Sequence, residues 1–202
     1  MVSTVNTNAH AGVNAHAPAR PLIGVLALQG GFQAHERVLR RLGADVREVR
    51  TPADLDGLRG LVIPGGESTT MSLGVEREGL AEPLRELLAG GLPVLGSCAG
   101  LIMLDREHLG AMDMLARRNA FGRQVRSFEA DLEVAGLHDG PVRAIFIRAP
   151  SIAEHGPEVE ILAELDGHPV AARQRRMLAV AFHTELAGDD RLHRQLMEWT
   201  RD

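Results

Sequence analysis

The chain has 202 residues, with 22 basic and 27 acidic side chains and a formal charge of −5. That mild acidity argues against a dedicated nucleic-acid binder, which needs a net basic face, and 3% aromatic residues with no tyrosine argue against stacking platforms for single-stranded bases. A single cysteine excludes an intrachain disulfide and a cysteine-rich zinc site and fits a reducing, cytoplasmic compartment; no apolar run approaches the roughly 20 residues of a membrane span.

Residues 1–20 are Ala, Asn, Thr and His with one charge, Arg20, and no apolar period. They lack the basic start and apolar centre of a secretory signal, and read as a disordered tail with His10 and His16 incidental. From Pro21 the pattern changes, and residues 21–202 are expected to form the functional domain. Residues 22–28 form a continuous aliphatic run, as in a buried parallel strand. Gln29-Gly30-Gly31 breaks it, and Phe32, His35, Val38, Leu39 and Leu42 then recur at helical spacing up to Gly43. Strands are expected over 45–50, 60–63 and 92–95, and helices over 80–88 and 99–108. That alternation predicts an α/β fold, doubly wound, with a mostly parallel sheet and helices on both faces. The second half reads as strands at 125–134, 142–147, 158–165, 169–173 and 177–182, which would extend the sheet with antiparallel additions. Residues 190–199 read as a closing amphipathic helix with Leu192, Leu196 and Trp199 on one face.

Gly96-Ser97-Cys98-Ala99-Gly100 lies between an aliphatic strand and a helix, the nucleophile-elbow arrangement with cysteine at its centre. Small neighbours permit a tight, strained turn. The N-terminus of the following helix would favour the thiolate, and the N–H of Ala99 would help to stabilise an oxyanion. The alternative is a buried structural cysteine. A thiolate acyl-transfer site also needs a base and a group to orient it. His183 and Glu185, two apart after a strand, would share one face. Among nine histidines the triplet alone says little; together with an elbow cysteine it is persuasive. Pro64-Gly65-Gly66-Glu67-Ser68-Thr69-Thr70 closes the third strand. Its glycines would expose N–H groups for an oxyanion hole; a phosphate loop lacks its Gly-Lys-Ser/Thr ending here, and a plain turn is the other alternative.

These motifs resemble those of the class I (triad) glutamine amidotransferases, and within them the glutaminase subunits of pyridoxal 5′-phosphate synthase. The resemblance runs from Leu22 to the C-terminus. It rests on Gly24-Val25-Leu26-Ala27-Leu28-Gln29-Gly30, the Pro64 to Thr70 segment, Cys98-Ala99-Gly100, Arg118-Asn119-Ala120-Phe121-Gly122-Arg123-Gln124 and Phe146-Ile147-Arg148-Ala149-Pro150. It implies glutamine hydrolysis through a γ-glutamyl thioester on Cys98, with His183 as base and Glu185 as its orienter. It further implies glutamine contacts at Gly66, Glu67, Ser68, Arg118, Ile147 and Arg148, and an oxyanion hole at Gly66 and Ala99. Arginine suits a carboxylate, although either arginine would also serve as a structural ion-pair partner.

The implied partner is a synthase subunit of (β/α)₈-barrel fold in a large hetero-oligomer, receiving ammonia and docking near Gln29 and Gly30; no cofactor and no metal are implied. Two other readings stay open, a cysteine hydrolase of another kind and a non-catalytic subunit that keeps the fold. The chain departs from the family pattern at Thr184, where His-Pro-Glu is usual, and at Ser97, where threonine is common. The segment between Ala99 and Gly110 also looks shorter than in many relatives.

Overall fold

The computed structural model describes residues 20–122 and 127–201. The tail expected before Arg20, the first two residues of the strand expected over 125–134, and the motif residues Arg123 and Gln124 lie outside the described residues.

In chain order the elements are β1 (Leu22–Leu26), α1 (Phe32–Arg41), β2 (Asp45–Val49), a 3₁₀ turn (Pro52–Leu55), β3 (Gly60–Ile63), α2 (Ser68–Arg77), α3 (Ala81–Ala89), β4 (Val94–Ser97) and α4 (Ala99–Leu104). Then follow β5 (Met114–Arg117), β6 (Ser127–Leu132), β7 (Val142–Ile147), β8 (Ser151–His155), β9 (Glu160–Leu165), β10 (His168–Gln174), β11 (Met177–Val180) and α5 (Arg191–Trp199). The main sheet has the order β2-β1-β3-β4-β11-β10-β9. Its first five strands are parallel, and β10 and β9 are added antiparallel at one edge. The expected mixed sheet is therefore present. Strands β3, β4 and β11 are buried at every position, which is why they read as unbroken apolar runs rather than alternating ones.

Strand alternation assigns the helices to the two faces. Ser97 presents its hydroxyl to His35 of α1, whereas a Cβ on the preceding Gly96 would meet Gly100 and Leu104 of α4. Helix α1 in turn touches α5 through His35 and His193, while α2 meets α4 through Ser72 and Met103. Helices α1 and α5 thus cover one face of β4, and α4 with α2 the other. All six residues of α4 are buried. Leu101 and Leu104, both fully inaccessible, contribute about 1.5–3 kcal/mol each by leaving water.

Two findings depart from the sequence reading on the first half of the chain. Helix α2 has no counterpart among the expected elements, and its Thr69, Thr70 and Gly74 are weak helix formers. What holds it is the Glu67 carboxylate, which accepts from the N–H groups of Thr69 at 3.1 Å and Thr70 at 2.8 Å, and the burial of Met71 and Val75 beneath it. The helix expected over 99–108 stops at Leu104. Asp105 turns extended there and its carboxylate binds the N–H groups of Glu107 and His108 locally, which competes with helix continuation.

In the second half, only β9 and β10 are the antiparallel additions expected there: β11 joins the sheet parallel to β4, and β6 with β7, like β5 with β8, forms a separate two-stranded ribbon. Strands β5 and β8, four and five residues long, carry too short an alternation to be read from the sequence. The β6–β7 ribbon is held by phenylalanines: Phe128 stacks on Phe146 at 4.7 Å, and Phe121 and Phe182 pack at 5.5 Å from Phe146. No helix among the described residues is long and apolar enough to cross a membrane.

Candidate active site

The order β2-β1-β3 reverses the direction in which the sheet grows, and the loops after β1, β3, β4 and β11 open at the carboxyl edge beside that reversal. Cys98 follows β4 immediately. Its backbone has φ 51° and ψ −102°, a left-handed conformation that costs about 1–3 kcal/mol for a residue with a side chain. Two contacts over-determine it: the Cys98 N–H donates to Val180 O at 2.7 Å, and Leu101 N–H returns to Cys98 O at 3.1 Å. A Cβ at Gly100 would lie 2.0 Å from Ile63 O, so only glycine lets α4 leave the elbow this close to β3. The Cys98 Sγ lies 3.9 Å from Ile147 O. With α4 only six residues long, stabilisation of a thiolate rests on the local N–H groups and the neighbouring imidazole more than on a helix dipole.

His183 lies three residues past β11 and is pinned by β7: its N–H donates to Ile145 O at 2.9 Å and its O accepts from Ile145 N–H at 3.4 Å. Its Nδ1 is 2.7 Å from Glu185 Oε1. Burial opposes an imidazolium here, but interactions with the Cys98 sulfur and the Glu185 carboxylate outweigh it and raise the His183 pKa to about 10. Burial likewise opposes the Glu185 charge; the imidazoles of His35 and His183 offset it and bring the carboxyl down to about 2. His35 is itself held below its ordinary value by complete burial, so the positive charge that keeps Glu185 ionised is that of His183. Thr184, between base and orienter, is buried, and its carbonyl accepts from Ala187 at 3.0 Å and Asp189 at 3.2 Å. A tight turn thus supports the backbone between base and orienter.

A cavity of about 370 Å³ opens over the sulfur. Gly66, Glu67, Ser68, Cys98, Ala99, Arg118, Ile147, Arg148 and His183 all line it, together with Gln29; of the residues named from sequence, Glu185 stands behind His183 and Gly30 beside the rim. Glu67 spends its carboxylate on capping α2, which holds that acid near 2, chiefly through the Thr70 N–H, and leaves its backbone N–H to the Gln29 side chain at 2.7 Å. Gly65 O accepts from Gly31 N–H at 2.9 Å. Because a trans peptide sets N–H and C=O on opposite sides, the Gly66 N–H points away from the β1–α1 loop.

Arg118 donates to Thr69 Oγ1 at 2.9 Å and lies 3.9 Å from Glu67. Arg148 lines the same cavity, with its backbone at φ 44°. The lining residues Asn119 and Pro150 sit inside motifs already noted, but nothing in their residue type singled them out. Cys98, Asn119 and Arg148 are three of the six non-glycine residues with positive φ among those described. Strain is concentrated around the cavity, as at sites where geometry serves function.

Cys98 at a strand-to-helix elbow, with the His183–Glu185 pair beneath one cavity at the carboxyl edge of the sheet, matches the pattern expected of the class I glutamine amidotransferases. The solved structure of a glutamine amidotransferase superposes with a TM-score of 0.83 at 44% identity, over 89% of this chain and 99% of that one. The PurLQS structure from Thermotoga maritima, at 15% identity and a TM-score of 0.70 over 91% of this chain and 98% of that one, shares the fold. The chain belongs to the SNO glutamine amidotransferase family, whose model matches residues 25–200. Among its relatives are the pyridoxal 5′-phosphate synthase subunits PdxT of Mycolicibacterium vanbaalenii, 54% identical over 86% of this chain and 95% of that protein, and of Pelotomaculum thermopropionicum, 53% identical over 87% and 93%.

Proposed function

We propose that this chain hydrolyses L-glutamine to L-glutamate and ammonia and supplies the ammonia to a pyridoxal 5′-phosphate synthase subunit. The observation that carries it is the alignment of Cys98, His183 and Glu185 beneath one cavity with cations at its rim. The Cys98 thiolate attacks the side-chain amide carbon, and the carbonyl electrons move onto oxygen, where the N–H groups of Gly66 and Ala99 receive the charge. His183 gives its proton to the amide nitrogen, the C–N bond breaks and ammonia leaves a γ-glutamyl thioester. Water then attacks the thioester as His183 takes its proton, and the C–S bond breaks to return the thiolate and glutamate. Glu185 keeps the imidazole in one tautomer and balances its charge.

Arg148 and Arg118 supply the cations for the substrate α-carboxylate, with Ser68 and the Ile147 backbone beside them. The partner is a synthase of (β/α)₈-barrel fold in a large hetero-oligomer, docked over Gln29 and Gly30, so that ammonia passes without escaping. A reduced catalytic thiol suits the cytoplasm.

The test is covalent capture. With the synthase subunit present, a glutamine-mimicking diazo-ketone adds one equivalent at Cys98, read by intact mass and peptide mapping. Absence of an adduct under conditions of turnover refutes the assignment.

A further inference from the structure

A buried polar cluster that the reaction above does not use lies behind the triad. His35, on α1, is 1% exposed, and His193, on α5, is fully buried. His35 Nδ1 is 2.9 Å from His193 Nε2. Its other nitrogen, Nε2, faces two groups at once: Ser97 Oγ at 3.1 Å and Glu185 Oε1 at 3.4 Å. Ser97 is the residue before the nucleophile, and Glu185 is the carboxylate behind the base. One imidazole therefore bridges the strand that carries the sulfur and the group that orients its partner.

The proton positions follow from what each nitrogen faces. Burial holds both imidazoles neutral, His193 at about 3, so each carries a single N–H. If His35 donated from Nδ1 to His193, its bare Nε2 lone pair would face a carboxylate oxygen, and the N–H on His193 Nδ1 would be a buried donor with no partner. If His193 donates from Nε2 instead, His35 carries its proton on Nε2, aimed at Ser97 and Glu185, and only an acceptor nitrogen is left unpaired on His193. The second arrangement replaces a repulsion by an attraction and avoids a stranded buried donor. Both imidazoles, His183 and His35, then converge on Glu185 Oε1, and Oε2 has no partner among the described residues.

We propose that His35, held in its tautomer by His193, is a positioning residue that ties the elbow strand at Ser97 to Glu185 and so sets the reach of His183 to the Cys98 sulfur. The β4–β11 ladder and the Cys98 N–H to Val180 O join the two strand ends, and beyond them the chain diverges into two pieces, the β4–α4 elbow and the stretch from His183 to Glu185. A pair of buried imidazoles with one orphan nitrogen is a poorer packing solution than two leucines. Its return is a fixed distance between those pieces, in a reaction where misplacement of a base by about 1 Å costs about 100-fold in rate.

This inference rests on the glutaminase reading, and its test separates the two. Glutamine turnover is measured for the full chain with the synthase subunit, for wild type, His35→Leu and His35→Gln, each checked by thermal melting. Glutamine places a side-chain N–H near the position of the imidazole Nε2; leucine does not. The expected result is a kcat lower by about 10- to 100-fold in His35→Leu, with KM for glutamine unchanged, and recovery of most of it in His35→Gln. Wild-type kcat in both variants overturns the proposal, as does an equal loss in both that follows the loss of melting temperature. If His35→Leu does not fold, His193→Gln and His193→Leu replace it: a kcat loss confined to leucine supports the relay, and equal rates overturn it. A wild type without turnover would overturn the glutaminase reading itself, and the inference with it.

Discussion

Replacing Glu185 by Gln removes a charge without changing shape, and the structure sets the size of the effect. The carboxylate lies 2.7 Å from His183 Nδ1 and is held at about 2 instead of 4.5, against the pull of burial. That lowering corresponds to about 3 kcal/mol of interaction with its surroundings. The part shared with the His183 imidazolium, which is present at rest and forms again as the thioester is hydrolysed, is lost in the variant, so kcat falls by up to about 100-fold.

The amide adds a second loss, because its NH₂ has no good place to go. Toward His183 it imposes the wrong tautomer, and toward the Oε2 position it is a buried donor without a partner. Together these place the loss between about 10² and 10⁴. The linkage has a definite sign. His183, raised to about 10, contributes stability that is complete below 6.5 and is lost as pH rises through 10; Glu185 contributes stability present above 4.5 and lost as pH falls through 2. The stability gap between wild type and Glu185→Gln is therefore widest between pH 4.5 and 6.5. Glutamate release with the synthase subunit present, and urea melts across that range, measure both. A variant within threefold of wild type in kcat would falsify the role of Glu185 and the triad built on it.

Arg148→Lys and Arg118→Lys lose bidentate geometry toward a carboxylate and should raise KM for glutamine about tenfold at unchanged kcat, with the larger effect at Arg148, since Arg118 already gives one N–H to Thr69; an unchanged KM in both removes them from the substrate clamp. Gly65→Ala places a methyl 2.2 Å from His183 Cε1, so the imidazole must move, and kcat should fall about 100-fold while the melting temperature changes little; normal turnover would show that the ring tolerates displacement. Thr184→Pro breaks no backbone–backbone hydrogen bond from residue 184 among the described residues, because its support runs through the carbonyl. It should change stability by no more than about 1 kcal/mol and kcat by less than threefold, and a collapse in either would show that the Thr184 N–H is needed.

The elements with a single strong period were legible in the sequence. The buried strands β1, β3, β4 and β11 and the amphipathic α1 and α5 each carry an apolar pattern that needs no partner to be recognised. The chemistry of Cys98 was legible for a local reason too, since an elbow requires small residues on both sides of its centre and those residues are contiguous. Helix α2 was not legible: its stability comes from a cap donated by Glu67 and from Met71 and Val75 packing beneath it, neither of which is a periodic signal. Glu67, expected as a substrate contact, does line the cavity, and its capping role is what the sequence did not show.

The deepest difference concerns His35. In the sequence it is one more member of the α1 stripe, spaced with Phe32 and Val38. Only the packing of α1 beside α5, across β4, brings its imidazole to Ser97, Glu185 and His193, residues separated from it by between 62 and 158 positions. Residue type and local spacing determine which groups have the chemistry. Which of them share a proton is decided by the meeting of distant elements, because hydrogen bonds act over about 3 Å and no local pattern encodes so short a distance between remote positions.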